Sequence, residues 1–206
     1  MSDYIWFERI PFPAIDYQKE IIGEIRDKFV IRDEDTIILT YPKSGTNWLI
    51  ETVCLIQNKG NPEWVQSVPI WDRSPWIETK SGYQNLTNKE GPHLMSSHLP
   101  FHLFPRSFFR SKAKVIYVIR NPRDVLVSGY FFWCNTNLVK NTDSLTTYFE
   151  WFLKGNDSPA VSPGSLCSYL FGSAVCVGFP IKTHYTPLQC TPPAQRPVFL
   201  FSVPLP

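Results

Sequence analysis

The sequence predicts an α/β fold built around a parallel β-sheet, and two similar stretches of the chain carry this prediction. In each stretch an apolar, β-branched run is followed by a short loop with a cationic side chain and then by an amphipathic helix. The first covers residues 36–56, with Lys43 in its loop, and the second covers residues 114–132, with Arg120. Two such junctions are what a parallel sheet presents to a nucleotide across its topological switch point.

Length and composition exclude several other classes of protein. A chain of 206 residues is long enough for one domain with a substantial core. Its net charge of +2 does not favour a nucleic-acid partner, and five cysteines without a C-x-x-C pair are typical of reduced thiols rather than a disulfide framework. The sequence shows no secretory signal and no continuous apolar span, which predicts a cytoplasmic protein without a membrane segment.

The first junction predicts an anion-binding site. Its loop holds Pro42, Lys43, Ser44 and Gly45, and the first N–H groups of the following helix lack intrahelical acceptors while the helix dipole there is positive. The helix is expected to end with Lys59 in its last turn and Gly60 in a left-handed conformation. Something anionic is therefore expected to bind at this loop.

The segments that flank this junction carry weaker patterns. Residues 1–15 are aromatic and proline-rich, which predicts an irregular lead-in, and Asp16 is expected to cap a helix that carries Ile22 and Ile25 on one face. Residues 63–90 have little periodicity. They are interpreted either as a satellite cluster under the core or as a ligand-facing lid, with four scattered aromatic residues, Trp64, Trp71, Trp76 and Tyr83.

The second junction has clear helix-start signals. Asn121 is a strong N-cap, Pro122 suits the first helical position and Asp124 can answer the cap, while Ser144 is expected to cap a further helix that ends at Gly155. The alternative for Arg120, as for Arg123, is a surface charge beside a helix start. Residues 93–100 are predicted to form a short strand, whose His98 is by itself more typical of a packed side chain than of a catalyst.

Beyond residue 156 the composition changes. Residues 157–206 hold nine of the nineteen prolines and three charged residues, and neither a helical nor an alternating period is present. The predicted domains are accordingly residues 1–156, an α/β domain, and residues 157–206, a divergent proline-rich tail of irregular structure.

Three motifs together closely resemble the cytosolic sulfotransferases. They are residues 41–48 (YPKSGTNW), residues 97–100 (SHLP) and residues 120–133 (RNPRDVLVSGYFFW), at the family's spacing within residues 1–155. Ser96 and the aromatic run 131–133 resemble the hydroxysteroid and bile-salt branch. The resemblance implies a P-loop-like three-layer α/β domain with a central parallel sheet, incomplete at the C-terminus.

The resemblance also implies a reaction. Family members move a sulfuryl group from 3′-phosphoadenosine 5′-phosphosulfate (PAPS) to an acceptor hydroxyl or amine, without a metal. Carried onto this sequence, Lys43 and His98 are the catalytic residues, with His98 as the general base. The remaining implied roles are PAPS binding by Lys43, Ser44, Gly45, Thr46, Asn47, Trp48, Arg120 and Ser128, and an apolar acceptor site walled by Trp71, Trp76, Phe132 and Trp133.

The tail departs from the family pattern. Residues 157–206 contain neither the Arg-Lys-Gly loop that clamps the 3′-phosphate nor the family's homodimer motif. Two functions are therefore expected as alternatives. One is a sulfotransferase for a small hydroxysteroid or bile-acid acceptor, and the other is an inactive truncated isoform that binds nucleotide weakly or is unstable.

Overall fold

A computed structural model of the chain describes residues 4–136, 144–154 and 198–202. It confirms the α/β fold with a central parallel sheet. Within these residues four strands pair in the order β4-β3-β5-β6, and every pairing between neighbours is parallel. The strands are β3 (Thr36–Thr40), β4 (Leu94–Ser97), β5 (Lys114–Ile119) and β6 (Val198–Ser202).

Helices cover both faces of the sheet. The longer ones are α1 (Lys19–Lys28), α2 (Thr46–Gln57), α6 (Pro122–Cys134) and α7 (Leu145–Lys154), and the shorter ones are α3 (Glu63–Ser67), α4 (Ile70–Arg73) and α5 (Lys80–Asn88). Two 3-10 turns, Phe101–Leu103 and Arg106–Arg110, lie between β4 and β5.

The alternation of side chains along β3 explains the layers. Ile37 and Leu39 are buried in a large cluster that includes Ile22 and Ile25 of α1. Ile38 points to the opposite face, where it is buried in a second cluster with residues of α2. Because successive side chains of a strand face opposite sides of a sheet, this apolar run buries both faces, as parallel sheets require.

The strand order places a crevice between β3 and β5. β4 and β6 lie on opposite sides of this central pair, so the chain that leaves β3 reaches one side of the sheet and the chain that leaves β5 reaches the other. Ligands of open α/β sheets bind beyond the carboxyl ends of strands at such a switch point. The loop with Lys43 and the residue Arg120 therefore meet at this crevice.

The N-terminal prediction was wrong in two respects. Residues expected to be irregular form an antiparallel hairpin, β1 (Tyr4–Phe7) with β2 (Ile10–Pro13). Helix α1 begins after Gln18 rather than at Asp16 and has no side-chain cap. Asp16 instead accepts hydrogen bonds at the start of α5, from the hydroxyl of Ser81 at 2.6 Å and the main-chain N–H of Lys80 at 2.8 Å.

Most helix boundaries agree with the sequence signals. The side chain of Asn121 accepts from the Arg123 N–H at 3.0 Å, and Ser144 Oγ accepts from the Thr147 N–H at 3.1 Å, so both predicted caps are confirmed. Gly60 is left-handed (φ 84°), but α2 ends at Gln57, so Lys59 lies past its last turn. The predicted helix end at Gly155 lies outside the described residues.

The described residues of the tail, 198–202, form an element that its composition did not predict. Val198–Ser202 pairs with β5 from Val115 to Ile119 and forms an edge strand of the sheet. The expectation of a wholly irregular tail is wrong for these residues. They form a strand by pairing with the edge of β5, and the local sequence pattern did not indicate this pairing. The domain boundary at residue 156 stays a prediction.

Candidate active site

A cavity of about 510 Å³ opens at the carboxyl ends of β3 and β5, and the predicted site residues surround it. All of them except Ser44 line its wall: Lys43, Gly45, Thr46, Asn47, Trp48, Trp71, Trp76, His98, Arg120, Ser128, Phe132 and Trp133. Ser44 belongs to the same loop but is buried, and its N–H donates to the Tyr41 carbonyl at 3.1 Å. Sequence positions up to 90 residues apart thus converge on one cavity.

The loop after β3 has an unusual backbone. Lys43 has φ 67° and Gly45 has φ 107°, both in the left-handed region, which is unfavourable for a residue with a Cβ such as Lys43. Arg120 Nη1 donates to the Lys43 carbonyl at 2.8 Å and holds this conformation from the β5 side. Gly45 then precedes α2 without a side-chain cap, so the first N–H groups of α2 face the loop without intrahelical acceptors.

Two cations therefore meet beside a helix N-terminus. Burial lowers the pKa of Lys43, and the positive charge of Arg120 lowers it further. Within the part of the chain that the structure describes, neither side chain makes a salt bridge to a carboxylate. Uncompensated positive charge of this kind, together with main-chain N–H donors, fits a phosphate or sulfate group.

The protonation of His98 follows from its hydrogen bonds. Its Nδ1 lies 2.8 Å from the Thr40 carbonyl oxygen, which can only accept, so Nδ1 carries the hydrogen. Its Nε2 lies 3.2 Å from the indole N–H of Trp76, which can only donate, so Nε2 carries the lone pair. Both contacts assign the same neutral tautomer, and its lone pair is at the ring edge that faces Trp76 in the cavity wall.

Burial keeps this imidazole neutral. It lowers the pKa of His98 to about 4; the hydrogen bond to the Thr40 carbonyl opposes this shift in part, and the charge of Lys43 adds to it. An ordinary histidine has a pKa near 6.5. Above pH 5 His98 is therefore neutral, and its Nε2 keeps the lone pair that a general base requires.

One short segment, residues 74–78, holds His98 at its ring and at its main chain. The segment runs parallel to β4, with the Ile77 N–H donating to the Ser96 carbonyl at 3.0 Å, and it carries Trp76. At its end, Glu78 accepts the His98 main-chain N–H at 2.7 Å. Burial raises the pKa of Glu78 to about 7, although hydrogen bonds from His98 and other neighbours oppose the shift.

The remaining walls are largely aromatic. Trp48 and Trp71 are more than half exposed, and Phe132 packs edge-on against Trp133 with 4.8 Å between ring centroids. On the other side the chain between β2 and α1 contributes residues that the sequence did not single out, including Ile15 and the half-buried Tyr17. An apolar cavity with a few polar groups at one end is typical of a small-molecule site.

Sequence reasoning missed three residues of the site: Thr40 and Glu78, which contact His98, and Tyr17. Thr40 and Glu78 contact it from 58 and 20 residues away, and Tyr17 lines the same cavity. Thr40 ends β3 and Glu78 lies in a segment without periodicity, so no motif marks either one. A weak signal was present for Glu78, a carboxylate among the aromatic residues of 71–83.

The residues that the structure describes contain no group of three or more His, Cys, Asp or Glu side chains that could hold a metal ion. None of their helices has both the length and the apolar character needed to cross a membrane.

Comparison with known proteins gives consistent matches. A model of the sulfotransferase domain matches residues 33–168. Mouse sulfotransferase 2A1 is 74% identical over 156 residues, which cover 76% of this chain and 55% of the mouse protein. Human sulfotransferase 2A1 is 61% identical over 154 residues, which cover 75% of this chain and 54% of the human protein. The chain thus spans about half the length of the curated relatives it matches.

A solved structure shares the fold. The crystal structure of mouse sulfotransferase SULT7A1 complexed with PAP matches with a TM-score of 0.65 at 24% identity. The match covers 81% of this chain and 57% of the mouse chain. At this level of identity the likeness concerns the arrangement of strands and helices.

Proposed function

The chain belongs to the sulfotransferase family, and from that premise we propose that it transfers a sulfuryl group from PAPS to the hydroxyl of a hydroxysteroid, bile acid or similar small apolar alcohol. One observation carries the proposal. The lone pair of a neutral His98 lies in the wall of the same cavity as the paired cations Lys43 and Arg120 and the N-terminus of α2. A base and an anion site in one cavity suit transfer of an anionic group to a hydroxyl.

The residues present fit the nucleotide. The left-handed loop, the N–H groups of the first turn of α2 and Lys43 suit the 5′-phosphosulfate, and Arg120 with Ser128 suits the 3′-phosphate, as the family resemblance implies. When bound, PAPS supplies the sulfuryl group already activated on a phosphate. That SULT7A1 was solved with PAP adds support at the level of the fold.

Each residue then has a task that its surroundings allow. His98 Nε2 takes the proton of the acceptor hydroxyl, which replaces the Trp76 N–H as its hydrogen-bond partner. Lys43 places positive charge beside the oxygen on which negative charge develops as the bond to sulfur breaks. Trp71, Trp76, Phe132 and Trp133 exclude water and hold an apolar acceptor by burial of its surface. No metal has a task in this scheme, and the cytoplasm is the expected location.

The test is transfer by the purified chain. Incubation with sulfur-labelled PAPS and a 3-hydroxysteroid is expected to yield the labelled sulfate ester. His98→Gln is expected to lower turnover by about 100-fold or more, because general base catalysis contributes roughly that factor. PAP should still raise the melting temperature of His98→Gln as it does for the wild type, because the base does not hold the nucleotide.

A matched pair of arginines tests the anion site. Arg120→Ala is expected to abolish the rise in melting temperature that PAP produces. Arg123→Ala should leave that rise unchanged, because Arg123 is exposed and does not line the cavity. Equal effects in the two variants would support the alternative that both arginines are surface charges. Binding of PAP without any transfer would favour the second predicted function, a nucleotide-binding chain that does not catalyse.

A further inference from the structure

A chain of hydroxyl groups joins the loop after β3 to His98. Thr40, the last residue of β3, is completely buried. Its Oγ1 lies 2.6 Å from Thr46 Oγ1 in the first turn of α2 and 3.1 Å from His98 Nδ1. Its main-chain carbonyl contacts the same Nδ1 at 2.8 Å. Thr40 thus contacts His98 through both its hydroxyl and its carbonyl, and the same hydroxyl contacts Thr46.

The direction of these hydrogen bonds depends on what Thr46 does. A threonine hydroxyl has one hydrogen to donate and two lone pairs with which to accept. While Thr46 has no other partner, either hydroxyl of the Thr40 and Thr46 pair can be the donor. Once Thr46 donates its hydrogen to an anion, it can only accept from Thr40. The Thr40 hydrogen then points toward Thr46, and the lone pairs of Thr40 Oγ1 face His98 Nδ1.

This order of donors strengthens the tautomer of His98 that the Thr40 carbonyl and the Trp76 N–H already favour. Oxygen lone pairs of the Thr40 hydroxyl and carbonyl would both face Nδ1, so Nδ1 must carry the hydrogen and Nε2 must keep its lone pair. That tautomer is the one a base at Nε2 requires. Hydrogen bonds in a chain polarise one another, so an anion on Thr46 also strengthens the contact at Nδ1.

We propose that Thr40 is a positioning residue that couples binding of an anion at Thr46 to the orientation of His98 and to the strength of the hydrogen bonds at its Nδ1. The inference rests on the proposed function, since it takes PAPS as the ligand of Thr46. It adds that the base is held in its reactive form more firmly when the donor is bound. A purely structural Thr40 would fill its site and satisfy a buried hydroxyl, but it would transmit nothing between the two residues.

The experiment follows the imidazole nitrogens by nitrogen-15 NMR. In the wild-type chain, adenosine 3′,5′-bisphosphate is expected to shift the Nδ1 resonance of His98, whereas adenosine 3′-phosphate, which lacks the 5′ group, should shift it much less. Thr40→Val keeps the branched shape and the carbonyl but removes the hydroxyl. Its Nδ1 shift on adding the bisphosphate should fall to less than half of the wild-type shift, and Thr40→Ser should restore it.

Turnover supplies a second readout. Thr40→Val is expected to lower kcat by about 3- to 10-fold, the equivalent of one hydrogen bond, with the KM for PAPS changed less than twofold. Thr40→Ser should stay within twofold of the wild type in both constants.

The outcomes separate this proposal from the proposed function. An undiminished Nδ1 shift in Thr40→Val, or a wild-type shift that the 3′-monophosphate reproduces, would overturn the coupling while leaving the sulfotransferase proposal intact. Failure of the wild-type chain to bind the bisphosphate would overturn both. The wild-type comparison of the two nucleotides needs no variant, so it can still overturn the coupling if Thr40→Val does not fold.

Discussion

The ammonium nitrogen of Lys43 lies 3.8 Å from the centroid of the Phe132 ring. Lys43 belongs to the loop after β3 and Phe132 to α6, so the contact joins the two strand-helix units at the cavity. The negative face of an aromatic ring attracts a cation by about 0.5 to 2 kcal/mol, and more strongly where water is excluded. Phe132 therefore orients the lysine as well as bounding the cavity.

Replacing Phe132 by Leu should weaken PAP binding by about 2- to 30-fold, because the leucine keeps apolar bulk but offers Lys43 no ring face. Isothermal titration at constant ionic strength measures the effect. Phe131→Leu is the matched control, since Phe131 precedes it in α6 and is 59% exposed. Equal losses in the two variants would show that the ring contact contributes nothing specific.

Arg120→Lys should weaken PAP binding by more than about tenfold although it conserves the charge. The guanidinium can hold the Lys43 carbonyl with one nitrogen while another nitrogen faces the ligand, whereas an ammonium has no such planar fork. The measurement is the dissociation constant of PAP for the two proteins. Wild-type affinity in Arg120→Lys would mean that charge alone matters at this position.

Glu78→Gln should change how stability depends on pH. The pKa of Glu78 is about 7 in the fold and 4.5 as the ordinary value, so the folded state binds more protons between these pH values and the free energy of unfolding falls as pH rises from 4.5 to 7. The size of the fall is on the order of 3 kcal/mol. Glutamine does not ionise, so the free energy of unfolding of the variant lacks this fall with pH.

Urea unfolding at pH 5.0 and 7.5 tests this expectation. The unfolding free energy of Glu78→Gln minus that of the wild type should become more positive at the higher pH. The lowered pKa of His98 acts in the opposite direction, because it makes the fold more stable as pH rises from about 4 to 6.5, but it is present in both proteins and cancels in the difference. A difference that does not change with pH would contradict the assignment.

Gly82→Ala should destabilise the fold by about 1 to 3 kcal/mol or more, since an added Cβ would lie 1.9 Å from the Trp76 carbonyl oxygen. Gly23→Ala, in α1, should instead be neutral or stabilise by up to about 1 kcal/mol, because its Cβ would meet nothing closer than 3.9 Å. Thermal melts of the two variants make the comparison. Similar melting temperatures would show that α5 can move away from Trp76 without loss.

The sequence was informative wherever function depends on a continuous stretch. Residues 36–57 and 114–134 have the predicted strands and helices, with the cap at Asn121 and the left-handed Gly60 as expected. The family predicted from three motifs is confirmed by the match to the sulfotransferase domain. The predicted hydroxysteroid and bile-salt branch is confirmed by the 2A relatives.

No sequence pattern predicted the structural features that depend on a partner distant in the chain. The hairpin of β1 and β2 was hidden by Pro11 and Pro13, which are typical of irregular segments but occupy an isolated two-stranded sheet here. Asp16 binds the start of α5 across 65 residues, a pairing no local pattern can indicate. Thr40 and Glu78 were missed for the same reason, whereas the roles predicted for the thirteen site residues stay predictions.

The conformation of the loop at Lys43 depends on contacts from both strand-helix units. Arg120, which directly follows β5, holds its carbonyl, and Phe132 of α6 lies against its ammonium. Grafting residues 41–48 alone onto another parallel sheet would transfer the sequence of the motif without the left-handed backbone conformation of Lys43. A designer who wished to transplant this anion site would have to carry two neighbouring strands, together with the arginine and the aromatic ring that follow the second.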